Sequence, residues 1–208
     1  MTAALLTLAD SRLPAGGHAH SGGVEQAIAA GVVHDPASLH AFLRRRLATA
    51  GAVAAGLASA ACGADGPELA RLDAEADART PSPALRAASR QQGRGLLRVG
   101  RRAWPSAAWD TLPDRPHHPI TLGVAAAAAG LGAGHAAQAA AYLSVSGPAT
   151  AAQRLLAMDP LTVAAITARL APEIDAVAAV DDLPAATDPL LDLLAEVHAA
   201  RKDRFFGS

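Results

Sequence analysis

An all-α bundle of about eight helices, folded as a single domain over residues 1–208, is what this sequence predicts. Three observations carry that expectation. Asp-Pro and Ser-Pro pairs recur at helix-start spacing. Apolar residues after them repeat at three and four positions. Sustained alternation of β-branched or aromatic residues, the signature of strands, is nearly absent.

The starts come in order. Asp35-Pro36 opens a helix whose apolar face is Leu39, Phe42, Leu43 and Leu47. Gly66-Pro67 is a weaker start. Ser82-Pro83 opens a helix with Leu85, Ala88, Gln92, Leu96, Val99 and Ala103 on one side. Asp159-Pro160 and Asp188-Pro189 open two more, the last with Leu190, Leu193, Leu194 and Val197 on one face. In each the acceptor side chain reaches an unpaired N–H, while proline gives up an N–H that has no helical partner there. The clearest break is Trp104–Pro119, where prolines interrupt any helix and predict a surface crossover.

Composition narrows the class further. Apolar residues are 51% of the chain but aromatics only 3%, so small side chains must bring helices close together. Leu47–Ala64 and Pro119–Gln153 carry no Asp, Glu, Lys or Arg. Their Ala, Gly, Ser and Thr content is too weakly apolar for a membrane span and predicts packed buried helices. A net charge of −1 gives no global field for nucleic acid or an anionic membrane. The single Cys62 excludes an internal disulfide and fits a reducing, cytoplasmic setting; no secretory signal is evident in residues 1–20.

No catalytic constellation is present, so no enzyme is expected. Cys62 reads as a small core residue, and no Gly-x-Ser-x-Gly elbow or Gly-Lys-Ser/Thr loop occurs. Asp73, Glu75 and Asp77 read as a solvated helix face, and His117 and His118 as a solvated loop. Arg44-Arg45-Arg46 could be a phosphate-binding patch, but opposite the apolar face of its helix it reads more readily as an exposed surface or protein contact. A nucleic-acid regulator built on that run is disfavoured by the near-zero charge.

Three segments fall outside these structural readings. Leu13-Pro14-Ala15-Gly16-Gly17-His18-Ala19-His20-Ser21-Gly22-Gly23-Val24-Glu25 sets two histidines between Gly-Gly pairs. His18 and His20 could hold a borderline metal through neutral imidazole, with further ligands from elsewhere, or simply pack in the loop. Arg90-Gln91-Gln92-Gly93-Arg94 puts glycine inside a helix, which close approach of another element would explain. Arg201-Lys202-Asp203-Arg204-Phe205-Phe206-Gly207-Ser208 ends a charged tail with two aromatics, a pattern favouring docking onto a partner.

Together these segments resemble the UreF family of urease accessory proteins. That family has a Leu-Pro-x-Gly-Gly/Ala-Phe-Ser-Tyr-Ser-x-Gly-Leu-Glu stretch, an Arg-Gln-x-Gly-Arg helix and a terminal Arg-Leu-Phe-Arg-Ser. The resemblance implies an all-α, non-enzymatic homodimeric scaffold that binds UreD (also called UreH) and the GTPase UreG. The assembly would load nickel into apo-urease in a GTP-dependent step. It implies partner contacts at His18, His20, Glu25, Arg90, Gln91, Gly93, Arg94, Arg204, Phe206 and Ser208. No tightly bound cofactor is implied, only nickel in transit, with His18 and His20 as its candidate ligands. His18 and His20 replace the family's Phe and Tyr, and Asp159-Pro160 stands where Gly-Gln is common. The alternative is a small helical metal-binding protein or metalloenzyme that uses His18 and His20.

Overall fold

The computed structural model describes residues 2–10, 13–15, 19–179 and 182–207. Its α-helical segments are α1 (Thr2–Leu8), α2 (Val24–Ala29), α3 (Pro36–Arg46), α4 (Ala52–Ala61), α5 (Gly66–Ala78) and α6 (Pro83–Ala103). They continue with α7 (His118–Ala128), α8 (Ala133–Leu155), α9 (Pro160–Arg169), α10 (Ala171–Ala178) and α11 (Pro189–Ala200). A π turn, Leu47–Gly51, runs α3 into α4, which leaves ten separate α-helices among the described residues. No strand occurs among those residues; one isolated bridge pairs His20 with Gly207.

The capping logic holds at Asp35, Ser82, Asp159 and Asp188, each accepting from a backbone N–H in the first turn of its helix. The weaker start is corrected: Asp65 caps α5 by accepting from Glu68 N, so the helix opens one residue before Pro67. Asp35 and Ser38 form a reciprocal capping box.

The uncharged stretches are the heart of the core. α8 packs on α2, α3, α4, α7, α9 and α10, and α4 also packs on α7. Small side chains let these helices nearly touch. A Cβ on Gly123 would lie 2.5 Å from the Ala58 carbonyl oxygen, and one on Gly51 would lie 2.6 Å from Ser144 Oγ. No helix among the described residues is long and apolar enough to cross a membrane. Cys62 packs against this core, and burial raises its thiol pKa.

α6 buries most of the face its apolar residues suggest: Ala88 and Leu96 are buried, Leu85, Gln92 and Val99 are half-buried, and Ala103 alone of that set is exposed. Gly93, Gly95 and Gly100 extend the buried surface. The glycines are the contact surface. A Cβ on Gly93 would collide with the Pro116 carbonyl, one on Gly95 with the Ala15 carbonyl, and one on Gly100 with the ring of Trp109. Residues 104–117 do cross the surface, with 105–107, 110, 111, 114 and 115 exposed, but Trp109, Pro116 and His117 anchor the segment inside. Trp109 is in the core, and its indole N–H donates to the Trp104 carbonyl at 2.8 Å.

The acids of α5 are not a solvated face either. Asp73 is buried and accepts from His117 N (2.8 Å) and from Arg90 (2.9 Å). Asp77 accepts from Arg90 (2.6 Å) and bonds to His117 Nε2 (2.9 Å). His117 is thus a buried cap of α7 rather than a loop residue, its Nδ1 lying 3.0 Å from Ser89 Oγ. A proline-rich segment can be buried here because its polar groups find fixed partners.

Gly93→Ala should destabilise the fold by about 1–3 kcal/mol, because the added methyl meets a backbone carbonyl that cannot rotate away. Gly147→Ala, on α8 with open space around the site, should instead gain about 0.5–1 kcal/mol. Urea unfolding of the two variants checks both signs.

Candidate functional site

Two of the three singled-out segments meet, and the third forms their floor. Gly22 has φ +59 and Gly23 φ +88, left-handed values that favour glycine, and they turn the chain sharply into α2. A Cβ on Gly22 would lie 2.7 Å from Pro148 Cγ, so the turn sits against α8. Just before it, Gly207 N donates to the Ala19 carbonyl (2.6 Å) and Ser21 N donates to the Gly207 carbonyl (3.2 Å).

Glu25 holds this junction. It is buried at 4% exposure, and its carboxylate accepts from Phe205 N (2.8 Å), Phe206 N (2.9 Å) and His198 Nε2 (3.1 Å). Burial raises its pKa, but the two backbone donors and the imidazole outweigh that and leave it below the usual value. Arg201 adds a bond from its guanidinium to Gln26 Oε1 at 3.1 Å. The tail therefore packs on its own fold through Phe206 and Gly207, a correction to the free docking tail expected from its charge. Only part of it faces out: Arg204 is exposed, and Phe205 is 84% exposed.

Beneath the junction lies a cavity of about 460 Å³ lined in part by His20, Gln92, Leu96, His118 and Phe206. Gln92 and Leu96 bring α6 into the site, and Gly95 packs α6 on Ala15 of the N-terminal segment. His118 is held neutral at ordinary pH. Burial, together with repulsion from His20, lowers its pKa to about 4.

Arg46 also lines this cavity. The Arg44–Arg46 run does not form one exposed patch, because its members diverge. Arg44 pairs with Glu173 at 2.9 Å, and Arg45 pairs with Asp188. Arg46 turns inward, and its Nε donates to the Ser144 carbonyl at 3.0 Å. Pro148 makes that bond possible: it has no N–H to offer the carbonyl four residues back, so the Ser144 oxygen is free.

The remaining expected residues divide by burial. Gln91 and Arg94 are exposed on α6. Glu25, Arg90 and Gly93 are engaged inside the chain, so they shape the surface rather than present it. His18 and Ser208 lie outside the described residues. No group of three or more His, Cys, Asp or Glu side chains able to hold a metal occurs among the described residues. Sequence reasoning noticed Arg46 only as one of a run of three arginines and His118 only as a loop histidine, and it missed His198 and Pro148; Pro148, a proline inside an otherwise helical uncharged stretch, was the available signal.

Two outcomes are expected. Glu25→Ala leaves two backbone N–H groups and an imidazole without their acceptor. It should cost about 2–3 kcal/mol and speed hydrogen exchange at the Phe205 and Phe206 amides. Acidification should also destabilise the chain. His118 and His117 have lowered pKa values, so between pH 6.5 and about 4 the unfolded chain binds protons that the folded chain refuses. The melting temperature should fall across that window, and His118→Gln should flatten the slope.

Residues 33–171 match the family model described as UreF. A urease accessory protein UreF from Mycolicibacterium vanbaalenii is 52% identical over 210 residues, covering 99% of this chain and 98% of that protein. The UreF of Mycobacterium marinum is 51% identical over 209 residues, with the same coverages of 99% and 98%. That of Mycobacterium tuberculosis is 49% identical over 210 residues, again covering 99% and 98%. These relatives are named as accessory proteins and not as enzymes, which agrees with the non-enzymatic expectation. Identity at this level over nearly the whole length establishes that the chain belongs to the UreF family of urease accessory proteins.

Proposed function

We propose that this chain is the scaffold of a cytoplasmic urease-maturation complex. In that reading it forms a homodimer, bridges UreD (UreH) and the GTPase UreG, and supports GTP-dependent nickel insertion into apo-urease. Nickel is cargo. His20 and His118, at one cavity, are the described side chains best suited to touch it in passing, with His18 beside them in sequence.

The observation that most supports a scaffold is the joining of the N-terminal loop and the C-terminal tail by one buried carboxylate. Such a junction fixes the exposed Arg204 and Phe205 on a rigid base, and rigid presentation lowers the entropic cost of binding. A second feature suits the same role. α6 carries six arginines and no acidic residue. Arg86, Arg90 and Arg101 pair with Asp77, Asp73 and Asp110, respectively. Arg94, Arg98 and Arg102 remain exposed one helical turn apart, a basic stripe suited to an acidic partner surface.

Co-purification with UreD and UreG, sized by light scattering, tests the reading. The intact chain should give a defined complex, and removal of 204–208 should abolish it. Charge reversal at Arg94, Arg98 and Arg102 together should weaken association by about tenfold or more at low salt and by less at high salt. An intact chain that stays alone with both partners folded would overturn the scaffold role.

A further inference from the structure

Arg46 has no anionic partner among the described residues, although its two neighbours in sequence do. Arg44 and Arg45 each reach a carboxylate, whereas the side-chain hydrogen bond of Arg46 found among those residues goes to the Ser144 carbonyl. That bond uses Nε and leaves the forked terminal nitrogens available. They lie against Gly22: a Cβ there would sit 3.4 Å from both the guanidinium carbon and Nη2. A side chain at that position would close the space, and the left-handed φ of Gly22 keeps it open.

A guanidinium removed from water without a counter-charge is costly. Desolvation at Arg46 lowers its pKa to about 10, which leaves it fully charged at neutral pH. The surroundings add donors rather than a balancing acid. Gln92 contributes an amide, and His118 a neutral imidazole. Arg154 is exposed and lines the same cavity, so it supplies a second positive charge. Among the described residues Asp10 is the one carboxylate that lines it, and Asp10 is already engaged. A cavity with two arginines against one engaged acid attracts anions.

We infer that Arg46 anchors a binding site for a small oxyanion, a carboxylate or phosphate in size, in the cavity beneath the N-terminal loop. The fork offers parallel N–H donors, the geometry that binds such groups in bidentate fashion. Gln92 and Arg154 line the same cavity. The site belongs to this chain alone and needs neither UreD nor UreG, so it stands or falls separately from the scaffold role.

The test uses the isolated full chain, with acetate and inorganic phosphate as probes and sodium chloride at matched ionic strength as control. A saturable rise in melting temperature is expected with at least one oxyanion and not with chloride. Acetate alone would define a carboxylate site, and phosphate a tetrahedral one. Arg46→Gln should weaken binding by about tenfold or more, while Arg94→Gln, on the exposed stripe, should leave it unchanged. Should Arg46→Gln fail to fold, the wild-type chain decides: amide NMR shifts on titration should centre on Gly22 and the Gln92 side chain. Equal responses to chloride, equal binding by a folded Arg46→Gln variant, or shifts centred on α6 surface arginines would overturn the site.

Discussion

Much of the arrangement depends on a hydrogen bond that α8 cannot make. Pro148 sits inside a 23-residue helix and has no N–H for the carbonyl of Ser144. An unmatched buried carbonyl would cost stability. Arg46 supplies the donor from α3, and so binds the first long helix to the longest one. Pro148 also presents its ring to Gly22, which fixes where the N-terminal loop turns. The loop in turn places Glu25, and Glu25 places the tail. One missing N–H thus sets the geometry of α3, the loop and the chain's last residues.

The helical fold was largely legible in the sequence because local rules determined it. Asp35, Ser82, Asp159 and Asp188 cap their helices for reasons contained in a few adjacent residues. The small-residue stretches that suggested close packing do pack closely, as Gly51 and Gly123 demonstrate. What periodicity left out on α6 was the part of the buried surface that carries no side chain. Glycine has no side chain to register in a pattern, yet Gly93, Gly95 and Gly100 carry the close contacts.

The candidate site was legible only in pieces. The N-terminal loop, the Arg-Gln helix and the tail each stood out by residue type. Their union depends on pairings between residues far apart in the chain, such as Glu25 with His198, 173 residues on, and Arg46 with the Ser144 carbonyl, 98 residues on. Charge was the least reliable guide. Asp73 looks solvated in sequence and Arg90 looks like a partner contact, yet they satisfy one another beside His117, and only packing reveals which charges are so used. Arg94, Arg98 and Arg102 are left exposed because α5 has no acids opposite them that reach that side of α6 in any ion pair found among the described residues.

The Glu25 junction has a consequence for the timing of biogenesis. Its last donor, Phe206 N, lies 181 residues downstream of the carboxylate. Most of the bundle can form while the polypeptide is still being made, since its caps are local and its central helix, α8, ends at Leu155. The junction cannot. A ribosome must deliver residue 206 before Glu25 acquires its partners, so nascent or prematurely terminated chains would display an incomplete surface. The junction therefore closes late: Glu25 completes its set of backbone donors only after residue 206 has been made, well after its own helix can form.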